Sequence, residues 1–215
     1  MKRTLFSICA LVLSLTASAQ IIKDTPKGKL IENLYRSSKS WVKKGWTGTQ
    51  AGRYEGLVSK IVIGEDGCIY IYNPLSGLDS KSWLKLERQP DGKYRATLPQ
   101  AIYTDDLGGD DDEEESSERT ISLNRLISSD DGKNYEPVGT ALNYVDFTVE
   151  GRTLKMSGMG QKKQIWAATY NNSWLNNYGG DWALTIEPLK EQLITPPATA
   201  TKSQYTVTSK SDPSP

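Results

Sequence analysis

The side chains that could carry chemistry in this sequence are carboxylates, because the whole chain contains no histidine. That absence excludes Ser-His-Asp and Cys-His catalytic arrangements and any zinc site built on imidazole. A glycosidase needs two carboxylates about 5 to 9.5 Å apart. Candidate acids include Glu87, Asp146, Glu150 and Asp181. The sequence does not show that any two of them converge, and we expect a protein that is not an enzyme and has no cofactor.

Residues 170–182, YNNSWLNNYGGDW, could instead bind a ligand. Flat aromatic faces stack on the C–H faces of sugars, while amides and carboxylates bond the hydroxyls. Loops at the end of a β-domain commonly carry binding residues. The candidate ligand-binding residues are Trp174, Tyr178, Asn172, Asn176 and Asp181. The alternative is a structural loop, since Asn, Gly and Asp are ordinary turn residues and Trp182 would begin a core strand.

Residues 105–118 contain nine acids and no base, and six of the acids are adjacent. Calcium needs six to eight oxygens in a fixed loop, and an EF-hand requires glycine at its sixth position. Counting from Asp110 puts Glu115 at that position. Adjacent acids repel one another and favour an extended, hydrated chain. The run therefore predicts a solvated acidic loop, and a weak calcium site at Asp110, Asp111 and Asp112 is the alternative.

The N-terminus has the three parts of a secretory signal peptide. Lys2 and Arg3 precede a short apolar run, and Ala17-Ser18-Ala19 gives an A-x-A cleavage site. Removal of residues 1–19 would place the protein in the periplasm, on the cell surface or outside the cell, without later membrane insertion. It would also leave Cys68 as the one cysteine, either buried as a small apolar residue or free to bridge to another chain.

Short β-rich runs separated by turn signals cover residues 20–189. The turns at 65–67 and 90–92 predict hairpins, and β alternation places Leu84 and Leu86 inward and Trp83 outward. The segment after residue 28 could form a helix, but a strand beginning near Leu34 fits the pattern better. The sequence predicts an all-β antiparallel meander of roughly nine or ten strands, forming an up-and-down barrel or a sandwich.

Residues 190–215 are rich in Thr, Ser and Pro and predict a linker or tail. The Thr-Pro pair at 195–196 precedes Tyr205 by the spacing that separates the pair at 25–26 from Tyr35. Ser-Lys-Ser at 209–211 also echoes the same tripeptide at 38–40, one residue out of step. The segment is either the start of a truncated second repeat or a coincidence of common residues.

Several stretches carry a resemblance to a known group of proteins: TPKG…LY, IYIYNPLSG, SWLKL, GKYRATLPQAIY and WAATYNNSWLNNYGGDWALTI. Together they resemble uncharacterised secreted β-rich proteins of Bacteroidota that are built from repeat modules. The resemblance covers most of residues 24–205. It implies export and a β fold, and it brings no catalytic residues with it.

The charge distribution and the motifs together favour recognition over catalysis. Outside the acidic loop, the chain after residue 19 has seven more basic than acidic residues, without the clustered arginines of a nucleic-acid binder. We therefore expect a secreted, non-catalytic β-domain that acts as a structural or interaction module. The alternative is a carbohydrate-binding module that uses residues 170–182. The partner would be a polysaccharide or another surface protein, not a nucleic acid.

Overall fold

The computed structural model describes residues 20–44, 48–107, 117–128, 134–157, 159, 163–188 and 206–207. The described residues form fourteen strands and two short 3₁₀ turns, Thr140–Leu142 and Asn176–Tyr178, with no α-helix. The strands are β1 Gly28–Lys44, β2 Gly48–Gly64, β3 Ile69–Tyr72, β4 Trp83–Arg88, β5 Tyr94–Thr97, β6 Gln100–Leu107, β7 Ser117–Ile127, β8 Glu136–Pro137, β9 Tyr144–Glu150, β10 Thr153–Ser157, β11 Gln164–Tyr170, β12 Ser173–Trp174, β13 Gly180–Pro188 and β14 Thr206–Val207. The predicted all-β class is confirmed.

Eight antiparallel strands close into a barrel. Its order is β1-β2-β3-β4-β5-β9-β10-β13, and β13 returns to pair with β1. Arg36 of β1 lies opposite Leu57 on one side and Ile186 on the other, so β1 completes the ring. Gly56, at φ +68°, lies where the β1–β2 register shifts, and such irregularities bend long strands enough for a sheet to close.

A second sheet, β11-β7-β6, branches from the barrel wall. It joins β13 where Trp166 of β11 lies opposite Asp181. β7 pairs with β11 on one side and with β6 on the other. Two short strands extend this sheet, β12 beside β11 and β8 beside β7. The barrel is therefore the predicted meander with two insertions, β6–β8 and β11–β12.

One apolar core serves both the barrel and the second sheet. It includes Leu84, Phe147 and Ile186 from the barrel, and Leu123 and Trp166 from the second sheet. Leu84, Leu123, Phe147 and Trp166 are fully buried. The inward positions predicted for Leu84 and Leu86 are confirmed, and the segment around Leu34 is the predicted strand, although β1 begins earlier, at Gly28.

The outward position predicted for Trp83 is only half correct. Trp83 does lie on the face opposite Leu84, but it is 2% exposed, in a separate cluster with Val62, Cys68 and Tyr70. Ile22 packs on this cluster, and its carbonyl accepts a hydrogen bond from the Trp83 N–H at 2.8 Å. The segment before β1 therefore covers this outer face. Cys68 is buried, and burial raises the pKa of its thiol.

The structure describes only parts of the predicted acidic loop and of the predicted C-terminal tail. Strands β6 and β7 take the chain to residue 107 and resume at 117, so the ends of the predicted acidic loop 105–118 belong to strands. The proposed calcium ligands Asp110, Asp111 and Asp112 lie outside the described residues, as does the predicted signal peptide. In the predicted tail, Thr206 and Val207 form a strand against Glu55 and Tyr54 of β2.

Candidate functional site

The predicted binding loop is built from two tight turns. Asn171 and Asn172 both have positive φ, +48° and +62°, a conformation that asparagine tolerates better than most residues. The chain then forms β12 and the 3₁₀ turn Asn176–Tyr178. Asn172 and Asn176 are exposed, so their amides face solvent as the binding hypothesis requires. Asn172, with its positive φ, also has the structural role in a turn that the alternative predicted.

The side chain of Trp174 makes several contacts within the protein. It is half-buried, and its indole Nε1–H donates to the carbonyl of Gly179 at 2.9 Å. Its ring meets that of Tyr135 edge-on, with centroids 4.9 Å apart. Trp41 and Trp182 belong to the same outer cluster. The ring therefore packs in a structural cluster and is partly exposed.

Asp181 does not belong to any surface site. Its side chain is fully buried, and it accepts hydrogen bonds from the Ser76 N–H at 3.1 Å and the Trp166 Nε1–H at 3.2 Å. The Ser40 hydroxyl donates to its other oxygen. Every oxygen of the carboxylate thus has a donor from the protein. The prediction that Asp181 binds an external ligand is wrong.

Buried Arg36 shares this polar interior with Asp181. Its guanidinium donates to the carbonyls of Asn73 and Tyr72 and to the Ser59 hydroxyl. Burial lowers the pKa of Arg36 to about 10, against the opposing attraction of Asp181. Burial also raises the pKa of Asp181, although its hydrogen-bond donors and Arg36 oppose the change. The network ties β1 and β13 to the β3–β4 connection at the end of the barrel.

A different group of residues forms the candidate site, and we call it the tyrosine face. Its members come from the second sheet and the adjoining 3₁₀ turn: Tyr103, Asp105, Arg119, Tyr170 and Tyr178. In the sheet register, Tyr103 lies opposite Ile121 and Asp105 opposite Arg119. Because strand side chains alternate, these residues continue the side of β7 that carries buried Ile121 and Leu123.

Tyr170 reaches the same side from β11, two residues after Ala168, which lies opposite Leu123. Tyr178 comes from the 3₁₀ turn and packs, half-buried, on the main core, as Tyr103 does. All three tyrosines are intermediate in exposure, so each is partly open to solvent. Tyr178 is thus the one predicted binding residue that the structure places in this group.

An ion pair lies among the tyrosines. The Arg119 Nε–H donates to Asp105 Oδ2 at 3.0 Å, and the two side chains are 22% and 23% exposed. The Arg119 guanidinium carbon lies 5.6 Å from the centre of the Tyr170 ring. Hydrogen bonding to Asp105 raises the pKa of Arg119. Burial, followed by the charge of Asp105, raises the pKa of the Tyr178 hydroxyl. The face is therefore an aromatic surface with a fixed, partly exposed pair of charges.

The other candidate carboxylates are held singly by basic partners. Asp146 receives two hydrogen bonds from Arg95, at 2.7 and 2.9 Å. Glu87 lies 3.3 Å from Lys85, and Glu150 lies 3.9 Å from Lys155. Within the described part of the chain, no three Asp, Glu or Cys side chains lie close enough to hold a metal ion.

Comparisons with known proteins add nothing to this geometry. No family model matches the sequence, and no curated protein or solved structure matches it. Over the residues that the structure describes, no helix is both long and apolar enough to cross a membrane.

Proposed function

We propose that this protein is an exported, non-catalytic recognition module that binds carbohydrate at the tyrosine face. The observation that carries the proposal is the convergence of three half-buried tyrosines around the Arg119–Asp105 ion pair. Aromatic rings that are already packed lose little conformational freedom when they stack on a sugar. Arg119 offers N–H donors and Asp105 offers acceptors for hydroxyl groups.

Export rests on the signal-peptide pattern of residues 1–19. The non-catalytic role is supported by the carboxylates that sequence reasoning singled out. Asp181 is buried among protein donors, and Asp146 is bonded to Arg95. Both carboxylates are thus already engaged by donors of the protein.

The barrel interior supports a surface site over an internal one. Small eight-stranded barrels are filled by side chains, whereas larger or emptier ones enclose ligands. Here Ile71, Leu84 and Leu86 are completely buried, and the end of the barrel holds the Arg36 and Asp181 network. A recognition module of this construction would bind its ligand on the outside or at a rim.

Affinity electrophoresis of the chain from Gln20 tests the proposal, in gels containing bacterial, plant or host polysaccharides. We expect at least one polysaccharide to retard the protein, and Tyr170→Ala to weaken binding by about tenfold or more, as loss of a central aromatic contact does. Tyr35→Ala is the matched control, because Tyr35 is a half-buried tyrosine on β1. Unretarded migration across the panel, or equal losses in the two variants, would contradict a carbohydrate site here.

A further inference from the structure

The outer edge of β2 is only partly used by the sheet. β1 pairs with one edge of β2 along nearly the whole strand, but β3 pairs with the other edge only from Ile61 to Ile63. Among the described strands, the rest of that outer edge meets only Thr206 and Val207 of β14. Strand edges of this kind offer unpaired N–H and C=O groups to another extended chain.

The surface around this edge is open. Glu55 and Gly56 are exposed, and Val58 is 79% exposed. A Cβ placed on Gly56 would meet no heavy atom within 4 Å. The edge is therefore accessible next to the two residues that β14 already contacts.

We propose that residues 53–58 of β2 form a strand-acceptor site, and that its occupant is the chain's own C-terminal segment centred on Thr206–Val207. Thr206 lies opposite Glu55 and Val207 opposite Tyr54, in antiparallel order. The segment SQYTVTS, residues 203–209, contains β-branched and aromatic residues of the kind that strands favour. The inference does not depend on carbohydrate binding.

Continuing the observed register gives the proposal a second, specific contact. Tyr205 directly precedes Thr206 in the sequence, and Gly56 directly follows Glu55, where the surface has open space around the glycine. An aromatic side chain across from a strand glycine covers the backbone that the glycine exposes. Tyr205 is also the residue whose spacing from a Thr-Pro pair repeats that of Tyr35 in β1. A β1-like segment would thus occupy the edge of β2 opposite to β1 itself.

The chain is long enough to reach its own edge. Residues 189–205 separate β13 from β14, and an extended chain of that length spans about 55 Å at roughly 3.3 Å per residue. A short covalent connection also gives a tethered segment an effective concentration in the millimolar range. Pairing within one molecule is therefore favoured over pairing between two copies.

Hydrogen exchange of the full chain from Gln20 tests the site. Proline removes the N–H donor of a strand residue, so Val207→Pro should speed exchange of edge amides in residues 53–58 by about tenfold. Ala200→Pro, in the Pro-rich stretch before the segment, is the matched control and should exchange like wild type. Equal exchange in all three proteins would overturn the proposal.

A labelled synthetic peptide of residues 201–211 separates the remaining outcomes. By fluorescence anisotropy it should bind the Val207→Pro chain, whose edge is vacated, at least tenfold more tightly than wild type. A Tyr205→Ala peptide should bind less tightly. Failure of the peptide to bind the Val207→Pro chain would overturn the site. Wild-type protein could instead self-associate as its concentration rises, with the amides of residues 53–58 losing protection on dilution. That result would show that a second copy occupies the edge, and it would overturn the proposal that the chain's own segment does.

Discussion

Asp181 and Arg36 are opposite charges inside the barrel, and each is held mainly by neutral groups. Hydroxyl and N–H groups donate to the carboxylate, while two backbone carbonyls accept hydrogen bonds from the guanidinium. Removing a charge from water is costly unless hydrogen bonds satisfy it, so these donors and acceptors let the residues remain buried. The same hydrogen bonds hold the β3–β4 connection against the end of the barrel.

The raised pKa of Asp181 has a consequence for stability at different pH values. The unfolded chain releases this proton near pH 3.8, whereas the folded protein retains it to a higher pH. The contribution of the carboxyl to the free energy of unfolding is therefore greatest below pH 3.8 and is lost as the pH rises through the raised value. We expect the stability difference between wild type and Asp181→Asn to fall over that interval and then level off.

Urea unfolding of both proteins between pH 3 and pH 8 would measure that difference. Subtracting the free energy of unfolding of the variant from that of wild type removes the contributions of the other acids, which both proteins share. A wild-type advantage that grows with pH would contradict burial as the dominant influence on the pKa of Asp181.

Strand alternation accounts for the elements well but does not say what covers each face. The hairpin glycines Gly67 and Gly92 have φ of +78° and +83°, as the turn signals indicate. Leu84 and Leu86 point inward by simple alternation. The burial of Trp83 could not be read in the same way, because it depends on Ile22 from a segment distant in sequence. Local periodicity does not contain that contact.

Trp83 and Lys85 lie on the same face of β4 and provide a test of this cover. Trp83→Ala should reduce the free energy of unfolding by about 3 to 5 kcal/mol, because it empties a buried site. Lys85→Ala removes ion pairs with Asp66 and Glu87. Because the Lys85 side chain is 35% exposed, we expect the free energy of unfolding to fall by less than about 1 kcal/mol. Chemical denaturation of both variants measures the two values. Similar small losses would mean that the outer face is not a packed layer.

At the scale of the molecule, the sequence predicts an all-β barrel or sandwich but not which strands meet at the candidate site. Tyr103, Arg119 and Tyr170 lie on three strands whose register is set by long-range pairing. Tyr103 and Arg119 are ordinary strand residues that no local motif marks, whereas Tyr170 begins the stretch 170–182. The loop of residues 170–182 is recognisable by composition. Its two tyrosines, Tyr170 and Tyr178, belong to the tyrosine face, and Asn172 and Asn176 are exposed.

The shared core predicts that the barrel and the second sheet unfold together. Leu123 of β7 is completely buried in the cluster that also contains Phe147 and Ile186 of the barrel. Leu123→Ala should therefore cost about 2 to 5 kcal/mol and lower the stability of both parts. Circular dichroism follows all strands, whereas tryptophan fluorescence includes Trp166 at the junction of the two sheets. Coincident urea transitions by the two methods, shifted equally in the variant, are expected of one cooperative unit. Separate transitions, with only one moved by the substitution, would instead make the second sheet an independent layer on a barrel that is stable without it.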